Sequence, residues 1–277
     1  MRSIIIMLGC FFSCYILNAD VVMRLEAQRS IYIQHEMVQA YLTMRNSSGQ
    51  ALIFGAASEF KGHLEIELLD SQGRKLKGSG AKVDLRGLIL RAGTDQTIRV
   101  NLNKWVPITK KGSYQVRMFL SHPMLKNEYQ SNSIYFDVSP GEIYWSKKFG
   151  IPKIDAKSND TPSPIRTYNL RALQDKADVY LFLFIEDDKK IYAIENIGML
   201  LGRKHAVCEV DFLNRLHILL PVSSKLFQYF VFDWNGEREV NKIYRTAQNI
   251  PVLFRNPQTG DVSVIGGEVA QRGVDYK

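Results

Sequence analysis

Between residues 21 and 140 apolar and polar positions alternate over short stretches, and no stretch repeats with the 3.6-residue period of a helix. The segments VVMRLEA (21–27), MVQAYLTMRN (37–46), LEIELLD (64–70), QTIRVNL (96–102), GSYQVRMFL (112–120) and SNSIYFDV (131–138) each place apolar side chains at every second residue. That is the pattern of a strand with one face in a core. Turn chemistry separates them, as in NSSGQ at 46–50 and in Ser71, Gln72 and Gly73. About seven short strands in about 120 residues predict an all-β antiparallel sandwich.

The pattern changes after residue 166. Val179 to Ile185 is apolar at every position, and five charged residues, Glu186 to Lys190, then turn the chain into KIYAIENIG (190–198). Three further hairpins follow: HAVCEVDF and RLHILLPV around Leu213 and Asn214, FQYFVFDW and EREVNKIY around Asn235 and Gly236, and IPVLFRN and GDVSVIGG around PQTG. Asn-Gly predicts a type I′ turn. Four successive hairpins predict an antiparallel β-meander. In it the doubly apolar strands 179–185 and 226–232 are central and covered on both faces, by another sheet of the meander or by the first sandwich. A small sandwich or open barrel fits this length. The pairs are similar to β-propeller blades, but about two blades are too few to close a ring.

One stretch carries a resemblance. LRAGTDQTIRVNLNKWVPITKKGSYQVRMFL resembles the E-to-F strand passage of bacterial immunoglobulin-like domains, with Tyr114 entering the penultimate strand. SNSIYFDVSPG, with Ile134, Phe136 and Val138 alternating before Pro140 and Gly141, is similar to their last strand. The resemblance covers residues 21–141 and implies a fold, not an activity. Periplasmic pilus chaperones share such domains and a basic balance, but their basic clamp matches no position here. The expected organisation is an immunoglobulin-like sandwich over 20–141, a linker over 142–166 marked by Pro152, Pro162, Pro164 and the polar run 157–163, and a β-meander domain over 167–277. Tyr144 and Trp145 are expected to pack between the two halves.

The first nineteen residues change the picture of where the protein works. Arg2, an apolar run from Ile4 to Leu17, a small residue at Ala19 and no acid give the pattern of a secretory signal peptide, with the mature chain starting at Asp20. The expected location is therefore exported, periplasmic or extracellular. Membrane association would require lipidation at Cys10 or Cys14. Loss of the leader leaves Cys208 as the one thiol, so packing rather than an internal disulfide must hold the fold. It also lowers the net charge from +8 to +7. The excess is concentrated between Arg74 and Lys126, where Asp84 and Asp95 are the only acids.

Candidate chemistry is sparse. No phosphate-binding glycine loop, GxSxG, HExxH or paired CxxC is present, so no catalytic residue and no cofactor is assigned. His205, Asp211 and His217 are the weak candidates for a metal site, and Cys208 with His217 for a thiol–imidazole pair. If the turn is Leu213 and Asn214, Cys208 and His217 share a side, and a one-residue slip reverses this. Glu65 and Glu67 share one strand face and read as wetted. Lys104, Lys110, Lys111 and Arg117 are the candidate cations for an anionic envelope polymer. Trp234, beside the aromatics at 180, 182, 184, 227, 229, 230 and 232, is the candidate platform for a glycan. The expected function is non-catalytic binding in the envelope or outside the cell, with an anionic polymer, glycan or protein as partner and nucleic acid excluded by location. A glycan- or peptide-active enzyme and a structural subunit of an envelope complex are the alternatives.

Overall fold

Why a strand in this chain buries one face or two is answered by how its sheets stack. The computed structural model describes residues 21–151, 164–202 and 205–276. The leader at 1–19, with Cys10 and Cys14, and the polar run 157–163 lie outside them.

The described residues are all β apart from two three-residue 3-10 turns. In order the strands are β1 (Val21–Ala27), β2 (Ile31–Ile33), β3 (Gln39–Asn46), β4 (Leu52–Ile53), β5 (His63–Asp70), β6 (Ala81–Asp84), β7 (Ile89–Leu90), β8 (Asp95–Asn101), β9 (Gly112–Ser121), β10 (Tyr129–Gln130) and β11 (Ile134–Ser139). There follow β12 (Glu142–Gly150), β13 (Ile165–Asp175), β14 (Asp178–Glu186), β15 (Ile191–Met199), β16 (Val207–Val210), β17 (Leu216–Pro221), β18 (Leu226–Phe232), β19 (Arg238–Arg245), β20 (Val252–Arg255), β21 (Val262–Ile265) and β22 (Glu268–Val269).

A three-stranded sheet, β1-β3-β8, packs on a six-stranded sheet, β2-β11-β9-β5-β6 with β10 beside β9. All pairs are antiparallel except β11 with β2. The period-2 pattern is realised directly: β1 alternates buried Val21, Met23 and Leu25 with exposed residues, and these meet Leu64, Ile66, Leu68, Val116, Met118 and Phe136 in one core. Buried Tyr114 donates from its hydroxyl to the Lys110 carbonyl at 2.6 Å. This is the tyrosine-corner bond of immunoglobulin-like sandwiches, made where the resemblance placed it.

The second half is also a two-sheet sandwich, with β12-β13-β14-β15 facing β16-β17-β18-β19-β22. Leu181, Leu183 and Ile185 of β14 meet Leu216, Ile218, Leu220, Phe230 and Phe232 between the sheets. The opposite face of β14, Phe182 and Phe184, packs with Leu173 and with Ile33 of the first sandwich. The opposite face of β18, Phe227, Tyr229 and Val231, is covered by Leu253 and Val264 of the β20–β21 hairpin. Each doubly apolar strand is thus covered once by the facing sheet and once by a different element.

Three expectations are corrected. Residues 142–150, assigned to the linker, form β12, whose register shifts between Ile143 and Trp145 and so hides the alternation from the sequence. Tyr144 and Trp145 pack on the inter-sheet core of the second sandwich rather than between the halves. The junction is made instead by Ile33, by Ser30 Oγ donating to Asp175 Oδ1 at 2.7 Å, and by the ion pair Arg29–Glu36, whose guanidinium lies 4.9 Å from the Tyr32 ring centre and 5.6 Å from that of Tyr180.

The Asn235-Gly236 turn is not type I′, which needs positive φ at both central residues. Only Gly236 has it, at 93°, and Asp233 Oδ1 instead accepts the backbone N–H groups of Asn235 and Glu237. A Cβ on Gly236 would stand 2.2 Å from Ala193 Cβ. Gly236→Ala is therefore expected to cost about 1–3 kcal/mol in urea unfolding, and a neutral result would show that this loop moves off β15.

Candidate functional site

At one side of the first sandwich both sheets end, β8 bounding the three-stranded sheet and β6 the six-stranded one. Between them runs a groove of 620 Å³ whose walls include Val83 to Leu88 and Ile98 to Asn101, closed by Lys104 and Trp105. Its floor is apolar: Val83, Leu88, Ile98 and Trp105 are half-buried and rest on the core. Its rim is cationic, with exposed Arg86, Arg99 and Lys104. On the other flank of β6 a 740 Å³ depression adds Lys61, His63 and Lys82, and shares Val83, Asp84 and Arg86 with the groove. Asp84 is the acid of this rim. The Arg86 backbone N–H and guanidinium hold its carboxyl below the ordinary range, so it stays ionised and paired with Arg86. Arg99, Lys104 and Lys82 have no carboxylate partner among the described residues.

Of the four cations chosen from sequence, only Lys104 lines this groove. Lys110 and Lys111 are exposed in the loop before β9. Arg117 is committed elsewhere: it sits opposite Glu67 in the β5–β9 register and pairs with it, while Lys75 Nζ lies 2.9 Å from the other carboxylate oxygen. Glu67 is accordingly buried rather than wetted, and Lys75, followed by Arg117, holds its carboxyl below the usual range. An ion pair across neighbouring strands needs a register, which single-strand alternation does not supply.

The 205–217 cluster divides. The β16–β17 register pairs Glu209 with His217 and Cys208 with Ile218, one residue from the pairing expected, so Cys208 and His217 lie on opposite faces. Cys208 packs on the inter-sheet core, where burial, then the Glu209 charge, push its thiol up to about 12. Such a thiol is a filler, not a nucleophile. His205 is apart from the others, stacked on Tyr144. Asp211 and His217 do come together, both buried, with Nε2 3.1 Å from Asp211 Oδ2 and Nδ1 2.7 Å from Tyr229 Oη. An ionised Asp211 can only accept, so Nε2 carries the proton and Nδ1 accepts from Tyr229. Arg215 Nε donates to the same Asp211 oxygen at 2.7 Å. Every strong site is used within the network, and no group of three metal-capable side chains forms among the described residues.

Burial pushes the His217 pKa below its ordinary 6.5, against the opposite pull of the Asp211 carboxylate. Burial would raise Asp211, but the Arg215 backbone N–H, His217 and the guanidinium outweigh it, and its pKa falls below 3.8. Both depressed values mean that the unfolded chain binds protons more readily than the folded one. The stability they supply is complete above pH 6.5 for His217 and above 3.8 for Asp211, and is lost as pH falls through each folded value. Unfolding free energy measured from pH 7.5 to 4.5 is expected to decline more steeply in the parent than in His217→Gln. The difference between the two profiles removes other groups such as Glu36, whose buried carboxyl titrates above its ordinary range. Parallel profiles would mean that His217 is not buried as described.

The aromatic residues resolve mostly into core. Phe182, Phe184, Phe227, Tyr229, Phe230 and Phe232 are buried. Trp234 is half-buried against the inter-sheet cluster, and the Arg166 guanidinium sits 5.4 Å from its ring centre and 3.4 Å from that of Tyr192 while Nη1 donates to the Trp234 carbonyl at 2.6 Å. A free stacking face on Trp234 is therefore reduced by a cation of its own chain.

No family model matches the chain, and no curated protein does. Among solved structures, the CARDB domain of a Pyrococcus furiosus protein, determined in solution by NMR, aligns over 44% of this chain and 95% of its own at 10% identity and a TM-score of 0.29. A crystal structure of a S. aureus TarS fragment aligns over 92% of this chain and 57% of its own at 9% identity and a TM-score of 0.23. The fold assignment rests on the strand order and the tyrosine corner described above.

Proposed function

We propose that this chain is a non-catalytic binding protein of the cell envelope or extracellular space, and that the groove between β6 and β8 is its contact with an anionic partner. The export part of this reading rests on the leader-like pattern of residues 1–19. The binding part is carried by one observation: Arg99 and Lys104, without carboxylate partners among the described residues, stand on the rim of an apolar groove instead of being spread over a convex face, and Lys82, likewise without one, lines the adjoining depression. Cations at a concave apolar wall attract counter-charge more strongly than isolated surface lysines, because field lines are focused there.

The test is retention of the full chain on immobilised polyglutamate at low and high salt. Arg99→Glu combined with Lys104→Glu is expected to weaken retention roughly tenfold or more and to flatten its salt dependence, since exposed charges are screened over about 10 Å at 0.1 M. Lys110→Glu with Lys111→Glu, outside the groove, is expected to have the smaller effect. Equal losses from the two pairs, or none, would remove the groove as the contact.

A further inference from the structure

This inference deepens the reading above and depends on it. We infer that the groove takes an extended acidic segment of a partner protein, which adds to the free edge of β8 as a further strand. Three observations converge on an occupant of this shape. First, β8 runs for seven residues and hydrogen-bonds to β3 on one side, with no strand on the other among the described residues. Such an edge offers a row of backbone N–H and C=O groups, and it is the template that strand addition uses. Second, no proline interrupts it and it is exposed from Asp95 to Thr97, so of the usual edge protections only charge is present, at Asp95 and Arg99, and the Arg99 charge repels a basic strand while attracting an acidic one.

Third, the lining has two chemistries at two heights. Ile98 and Trp105 form the half-buried floor, and Arg99 and Lys104 stand at the exposed rim. A β-strand presents successive side chains to opposite faces. A segment with alternating apolar and acidic residues therefore sets its apolar side chains on the floor while its carboxylates reach the rim. A uniformly charged polymer satisfies the rim and leaves the floor wet. The backbone edge adds a demand that a sugar or lipid head group cannot meet, since only a peptide supplies matching N–H and C=O groups at strand spacing.

The probe is a blocked eight-residue peptide of alternating valine and glutamate, compared with an alternating glycine and glutamate peptide of equal charge, each titrated into the full chain. The valine peptide is expected to bind at least tenfold more tightly. Methylation of its backbone nitrogens should abolish that advantage, and added peptide should slow amide hydrogen exchange within residues 95–101. The variant Trp105→Ala should weaken the valine peptide and leave the glycine peptide unchanged. If both peptides bind alike, methylation has no effect and 95–101 gains no protection, strand addition is overturned while the cationic contact stands. If neither peptide nor polyglutamate is retained at low salt, the binding reading itself falls.

Discussion

Asp211→Ala is expected to lower the unfolding free energy by about 2–3 kcal/mol, the cost of leaving donors, a buried imidazole N–H among them, without their charged acceptor. Both carboxylate oxygens are fully used. Oδ1 accepts the backbone N–H groups of Leu213 and Arg215 at 3.0 and 2.8 Å, and Oδ2 accepts from Arg215 Nε and His217 Nε2. Alanine leaves all four donors without that acceptor, releases the 211–215 loop and strands a buried imidazole. Urea unfolding measures the loss, and a change below about 1 kcal/mol would show that water replaces the carboxylate at little cost. Combined with His217→Gln the effects should be less than additive, because the second change removes a donor already orphaned by the first. Retention on polyglutamate should not change, since the network is remote from the β6–β8 groove in sequence and shares no residue with it.

Phe182→Ala is the second large effect, at about 3–5 kcal/mol for truncating a fully buried aromatic. Its ring lies on the face of β14 that meets Ile33, and the Arg29 guanidinium stands 5.7 Å from its centre. The change should therefore act on the joint between the sandwiches as well as on the second core. A double-mutant cycle with Ile33→Ala, followed by thermal unfolding, should give a coupling of about 0.5–3 kcal/mol, the range for residues in contact. Strict additivity would mean that Ile33 and Phe182 do not share a core.

How much of this was legible can be argued from single elements. Where one strand has one dry face, alternation suffices, and VVMRLEA became β1 residue for residue. The fully apolar run at 179–185 was also readable as doubly covered, but not what covered it, because Ile33 lies about 150 positions away and β2 is three residues long. Register was the weakest link. One residue in the Asp211–Arg215 loop decided whether Cys208 faced His217, and the loop geometry is set by the Asp211 hydrogen bonds, which no local pattern announces. The groove was invisible for a related reason. Arg86 and Arg99 come to line one groove across two sheets through strand order alone, so a list of basic residues found Lys104 but could not separate it from Lys110, Lys111 or from Arg117, already neutralised by Glu67.

The cover that Ile33 gives to Phe182 and Phe184 has a consequence for how the chain is made. Residues 142–276 produced on their own would carry those two rings bare on an outer sheet face, beside half-buried Tyr180, Ile191 and Ile194. An apolar surface of that kind invites self-association. Synthesis from the N-terminus avoids the hazard, since β2 is already folded into its sandwich when β14 emerges. Order of appearance therefore protects the second half, and a circular permutant that reversed it should yield less soluble protein at the same final fold.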